Sequence, residues 1–199
     1  MNYFFGRRLL KTLVIALALT WTGATVQAET FTVDPVHSTI GFRVPHMMIS
    51  KVRGNFKEFT GTFDFDEKTK KLSQIKAEVQ TVSLDTQNEK RDGHLRSPDF
   101  FDSQKFPMLR FESTKITQKG DRYEVTGNLT IKDVTKSVTL KGELLGVGKG
   151  FKGKTLVGFE AQGEINRKDF GMTWNRMIET GGFAVGDEVQ LVIEIEASN

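Results

Sequence analysis

The chain has 199 residues, with 28 Lys and Arg, 25 Asp and Glu, 16 Phe and no Cys. Three of the basic residues (Arg7, Arg8 and Lys11) and none of the acidic ones fall in the first 28 positions, so the remainder balances at 25 to 25. That balance removes the cationic surplus on which nucleic-acid binding depends, and the lack of Cys removes disulfides, thiol catalysis and an anchor on an acylated cysteine.

Residues 1–28, "MNYFFGRRLLKTLVIALALTWTGATVQA", place the three cations before an apolar run from Leu13 to Leu19 and end on Val26-Gln27-Ala28. This is the layout of a secretory signal peptide cleaved after Ala28. A retained membrane anchor is the competing reading, but the run is short for a span and no charged stop-transfer cluster follows. The expected location is the periplasm, with residues 29–199 as one domain. No Pro/Gly/Ser linker or low-complexity run divides them.

From "FTVD" onward the chain alternates apolar and polar residues, the period of a strand with one buried face. "STIGFRV" puts Ile40, Phe42 and Val44 on one face, and "FTGTFDF" does so with Phe59, Gly61, Phe63 and Phe65. "QIKAEVQ", "MLRFES" and "YEVTGNLTI" follow, carrying Val79, Leu109, Phe111 and Leu129. "SVTLKGELL", "LVGFEAQGEI" and "EVQLVIEIEA" complete the set with Leu140, Phe159, Ile165 and Ile193. "QKGD" and "IKDVTK" have the composition of hairpin turns. About eight antiparallel strands close into a barrel wide enough for side chains or one small ligand. The same parity turns Gly61, Ala77, Gly127, Gly142, Ala161, Gly163 and Ala197 inward. These small residues either bend the strands or leave an internal void.

Two segments break the pattern. "HMMISKVRGNF" (46–56) is expected to hold a short helical turn, with Met47 and Met48 as a flexible mouth. Residues 86–107, punctuated by Gly93, Pro98 and Pro107, read as a long connection with one or two helical turns. Its Phe100, Phe101 and Phe106 are expected to plug a barrel end. In "INRKDFGMTWN" (165–175), continued parity would turn Arg167 and Asp169 inward, which is costly unless they are paired or wet. The strand is therefore expected to bulge at Gly171, with Phe170, Met172 and Trp174 at an entrance. Arg167 then pairs with a carboxylate or meets a ligand's polar head.

No catalytic or metal constellation stands out. His37, His46 and His94 are widely spaced, and Asp34 with His37 forms only a lone D-x-x-H. There is no G-x-S-x-G. "EKRDGHLRSPDFFD" offers Asp92, His94 and Arg96 as acid–base machinery or as a self-satisfied network of local pairs. "KVRGNFK" is a basic patch (Lys51, Arg53, Lys57), against whose use on nucleic acid the neutral chain and the export signal both argue.

Taken in order, "DPVHSTIGFRVPHM", "VRGNFKEFTGTFDFD", "RDGHLRSPDFFDSQKFP", "FES", "GNLTIKDVTKSVTL" and "GFEAQGEINRKDFGM" resemble the YceI-like family of exported, lipocalin-like polyisoprenoid-binding proteins. The resemblance runs from about Phe31 to Ala197, and "HLRSPDFFD" and "NRKDFGM" are its most specific blocks. It implies an extended eight-stranded antiparallel barrel around a long isoprenoid or similar amphiphile, with no catalytic residues. The expected fold is thus all-β and lipocalin-like, with a short helical connection.

The expected function is non-enzymatic binding, transport or sequestration of a polyprenyl chain, an isoprenoid quinone or another lipid, without cofactor or metal. The expected ligand-binding residues are Phe42, Phe63, Phe111, Leu129, Phe159, Ile165, Met172, Trp174, Met47 and Met48, with Arg167, His94 and Arg96 as polar groups at the rim. Transient contact with a membrane or membrane protein is expected, and the oligomeric state is left open. An enzyme acting on a lipid headgroup and a solidly packed interaction or stress protein are the alternatives.

Overall fold

Backbone polar groups that leave water must be paired, and a closed sheet pairs them without leaving an edge. The computed structural model, which describes Met1, residues 28–179 and residues 181–199, reaches that solution. Apart from Met1 and Ala28, the expected signal peptide lies outside the described residues. Among these, the strands are β1 (Glu29–Val33), β2 (Thr39–His46), β3 (Ser50–Phe56), β4 (Phe59–Phe65), β5 (Leu72–Gln80) and β6 (Leu84–Asp85), followed by β7 (Met108–Lys119), β8 (Arg122–Ile131), β9 (Val134–Lys149), β10 (Thr155–Asn166) and β11 (Glu188–Ser198). One α-helix, α1 (Glu89–Arg96), sits in the long connection between β6 and β7.

All neighbours pair antiparallel. Strands β1, β4, β5, β7, β8, β9, β10 and β11 follow one another around the barrel, and β1 closes it by pairing Thr32 with Ser198 and Val33 with Ala197. The other half of β11 (190–194) carries β2, onto which β3 and then β6 add. This is the expected eight-stranded barrel, extended at one end by a three-strand flap. Among the described residues no helix is long and apolar enough to cross a membrane.

Three register shifts re-aim the side chains. On β7 an extra residue between Ser113 and Lys115 turns Ile116 inward. On β9 the shift beside Leu144 leaves Leu145 exposed. The third, between Thr62 and Asp64, sets Phe63 opposite two residues of β5 and puts Gln74 at positive φ. A β-bulge does this by setting two residues of one strand against one of its partner.

The expected helical turn in 46–56 is absent. Met47 (φ 53°) and Met48 (φ 61°) form the tip of a tight hairpin closed by Ile49 N–H donating to His46 C=O at 3.2 Å. Two successive left-handed residues match the twist of the flanking strands. The usual Asn or Gly signature of such a turn is missing, which is why the sequence does not announce it.

Two apolar clusters fill the barrel ends. At the β4–β5 hairpin end, Phe31 stacks on Phe63 (centroids 5.8 Å) and meets Phe65 edge-on, while Phe159 contacts Phe63, Phe65 and Tyr123. The Tyr123 hydroxyl donates to Lys70 C=O at 2.6 Å, which satisfies the one polar atom of the group. At the helix end, Phe56, Phe100, Phe170, Met172 and Leu84 pack beneath α1. Phe100 and Phe101 act there as expected, whereas Phe106 lies outside, between Lys105 and Lys132.

Phe31 has no exposed surface and links β1 to β4 beside the closing seam. Phe31→Ala is expected to cost about 3–5 kcal/mol, the range for a buried aromatic truncated to Ala, read from urea unfolding. A loss below about 1 kcal/mol would show that the seam does not depend on this ring.

Candidate functional site

Between the two plugs lies an internal cavity of about 260 Å³. Its walls come from every strand of the barrel and from β2 and β3, and the connection between β6 and β7 contributes Leu95, Phe100 and Phe101. Lys76 and Arg110 border it through their backbones, since their side chains pair outside with Glu112 and Glu78.

Glycines shape the lumen in a way that combines both sequence readings. A Cβ on Gly54 would overlap the Phe42 ring, which lies across from it on β2, and a Cβ on Gly127 would overlap Phe111. The missing side chains let these rings lie along the wall. Gly61, Ala77, Gly142 and Ala161 border the cavity itself. Gly163 and Ala197 do not, and a Cβ on Gly163 would meet Leu140 at 2.6 Å.

Of the expected ligand-binding residues, Phe42, Phe63, Phe111, Leu129, Phe159, Ile165 and Met172 line the cavity. Trp174 does not. It packs behind the plug, 5.5 Å from Phe100 and 4.7 Å from His94 by ring centroids. Met47 and Met48 stand outside on the hairpin tip. Leu191, Ile193 and Ile195 of β11 also form wall, as does Leu95 of α1. The alternation of β11 carried that signal, whereas a single leucine on a polar helix did not.

The expected bulge at Gly171 is instead the end of a 3-10 turn, Arg167–Phe170, with Gly171 left-handed (φ 76°) as its cap. This turn buries Phe170 in the plug rather than at an entrance. It also buries Arg167, whose side chain is 3% exposed. Nε donates to Gly186 C=O (2.8 Å), Nη1 to the carbonyls of Met172 and Trp174, and Nη2 to Val185 C=O (3.4 Å) and Asp187 Oδ1 (3.1 Å). A guanidinium has five N–H donors, so every one is used. Burial pushes Arg167 below its ordinary pKa, and Asp187 pulls it back. Of the two expected roles, pairing with a carboxylate is the one present. No donor is left for a ligand's head.

The other polar candidates are likewise directed to local partners. His94 Nε2 meets Asp99 Oδ2 at 2.9 Å, and Arg96 Nη2 donates to Leu84 C=O. Buried Asp92 accepts from Thr86 N–H at 3.0 Å and from its hydroxyl, while Arg91 Nε donates to that hydroxyl at 2.7 Å. His94, Asp92 and Arg96 border no part of the cavity.

Among the described residues, one trio of metal-ligand type is grouped: Asp34, His37 and Glu196, on the outer surface at the β1–β11 seam. His37 Nδ1 lies 2.8 Å from Asp34 and 3.9 Å from Glu196. Hydrogen bonding between them lowers the Asp34 pKa and raises that of His37. This is an exposed pair that ties the β1–β2 turn to β11 on the outside of the barrel, and none of the three residues lines the cavity.

The YceI-like domain matches residues 31–197. Protein YceI of Salmonella newport is 40% identical over 184 residues, covering 92% of this chain and 93% of that one. The crystal structure of the Campylobacter jejuni YCEI protein is 31% identical, covers 96% of this chain and 99% of that one, and has a TM-score of 0.69. A polyisoprenoid binding domain from Saccharophagus degradans is 12% identical, covers 84% and 97%, and has a TM-score of 0.58, a likeness of fold alone.

Arg167→Met withdraws the guanidinium from four carbonyls and from Asp187 Oδ1, leaving only Asn175 on Val185 C=O and Lys168 on the Asp187 carboxylate, a loss expected to cost about 3–5 kcal/mol. Arg167→Lys is expected to recover little, because an ammonium has three donors and no planar fork. Urea unfolding of both variants checks this, and a Lys variant as stable as the parent would refute it.

Proposed function

The chain belongs to the YceI-like family, and from that premise we propose that it is a non-enzymatic carrier that holds the hydrocarbon part of an isoprenoid or similar amphiphile in its barrel. The observation that carries this reading is the apolar lumen: among the described residues the one charged side chain buried at its wall, Arg167, spends all its donors on the protein. A site built that way recognises a chain by its apolar surface and shape. Location in the periplasm is part of the proposal and fits the leader-like residues 1–28.

Size sets a condition on the cargo. A cavity of ~150 Å³ holds a benzene ring, so about 260 Å³ takes roughly ten heavy atoms. At about 0.3 kcal/mol per heavy atom, ten atoms give ~3 kcal/mol and a thirty-carbon chain ~9 kcal/mol, the latter sub-micromolar. Useful affinity therefore requires a long chain to displace wall side chains or to extend through the rim. Phe42 and Phe111 are the natural movers, since both are partly buried and are seated over glycines.

The two alternatives fare less well. An enzyme acting on a headgroup needs Asp92, His94 and Arg96 to converge on the opening, and they are bonded elsewhere. A solidly packed barrel is at odds with the cavity.

Native mass spectrometry of protein purified from its host, followed by organic extraction, is expected to release a stoichiometric long-chain lipid. Ala77→Trp and Ala161→Phe place bulk in the lumen and are expected to lower uptake of an isoprenoid quinone by about tenfold or more at an unchanged circular dichroism spectrum. A parent protein that carries and takes up no isoprenoid defeats the carrier reading.

A further inference from the structure

The β2–β3 hairpin tip has a neighbour. Met47 N–H donates to Ala184 C=O at 2.9 Å, and His46 bridges Val185. Alongside it, residues 176–179 and 181–184 are joined by a Met177–Phe183 bridge, with Ala184 N–H donating to Arg176 C=O at 2.9 Å. Met48 Sδ lies over Gly182, 2.6 Å from where a Cβ would stand. Two small hairpins thus form one projection. Its apolar side chains face water: Met48 is 74% exposed, Ile49 90%, Met177 76% and Phe183 53%. Exposed apolar groups of this size in contiguous array mark an interaction site.

The strands behind the tip are cationic. Arg43 lies directly opposite Arg53, and Lys51 opposite Pro45, on the outer face of β2 and β3. Like charges set opposite each other destabilise a sheet. Among the described residues neither these three nor Arg176 has a carboxylate within ion-pair distance. Asp187 is held by Arg167 and Lys168, which leaves Glu179 as the acidic residue of the adjoining loop. An apolar tip backed by unpaired cations complements an anionic bilayer, whose acyl region takes the apolar groups and whose phosphates take the cations. The tip is also continuous with the lumen, because Val44, three positions before Met47, and Val185, beside Ala184, line the cavity.

We propose that this projection docks on an anionic phospholipid bilayer, with Met48, Ile49, Met177 and Phe183 among the acyl chains and Arg43, Lys51, Arg53 and Arg176 on the phosphates. The helix end of the barrel then faces the membrane, where cargo enters and leaves. The assignment of cargo exchange rests on the carrier reading, while the docking rests on the tip alone.

The test is flotation of residues 29–199, which hold every strand found among the described residues, with vesicles of phosphatidylglycerol and phosphatidylethanolamine or of phosphatidylcholine alone. The protein is expected to float with the anionic vesicles and to be released by high salt. Met48→Asp/Phe183→Asp is expected to reduce flotation about tenfold, and Lys51→Glu/Arg53→Glu to bring it down to the phosphatidylcholine level. Both pairs are on the exterior, and unchanged melting and prenyl uptake in detergent solution show that fold and lumen are intact. Equal flotation of parent and variants, or a dimer that Met48→Asp breaks in the absence of vesicle binding, overturns the proposal. Flotation by protein that takes up no prenyl cargo supports docking while defeating the carrier reading.

Discussion

Closure of the sheet is the constraint on which the rest depends. Two residue pairs, Thr32 with Ser198 and Val33 with Ala197, join the first strand to the last. Without them β1 and β11 would present free edges, and each edge carries unpaired N–H and C=O groups. With them, alternate side chains of eight strands have only the interior to enter. The lumen is therefore a consequence of strand period and closure, and its character is set by which residues occupy the inward positions. Phe31, fully buried beside the seam, and Ala197 within it make the junction part of the core.

The pairing of large rings with glycine explains how a barrel rich in Phe keeps space inside. A ring needs either depth or a neighbour without a side chain. Phe42 lies over Gly54 and Phe111 over Gly127, so the rings cover the wall. At the hairpin end the rings have no such beds and turn toward one another, edge to face, as their quadrupoles favour. The same residue type thus lines the lumen in its middle and seals it at one end.

Most of this was legible in the sequence, and the exceptions have physical causes. Parity placed Phe63, Phe111, Leu129, Phe159 and Ile165 on the wall because their strands keep register up to those positions. Met47 and Met48 read as a mouth because apolar residues are expected to turn inward, yet a left-handed hairpin sends them out. Trp174 follows a 3-10 turn, where strand parity no longer applies. The local partners of Asp92, His94 and Arg96 agree with the self-satisfied network that "EKRDGHLRSPDFFD" offers, while the direction of each side chain was not legible, since eight residues of helix aim neighbouring side chains in different directions.

Arg167 shows what a buried charge does beside an apolar lumen. An ion pair in the interior gives little net stability, and an apolar substitute of equal volume often does as well. What a fully bonded guanidinium adds is position. Its five donors gather the carbonyls of Met172, Trp174, Val185 and Gly186 with the Asp187 carboxylate, and these belong to the two ends of the segment joining β10 to β11. That segment has no long ladder to hold it, so its backbone polar groups need another partner. Arg167 supplies it from inside. The guanidinium buried at the wall is thereby spent on fixing the rim, and the lining is left apolar.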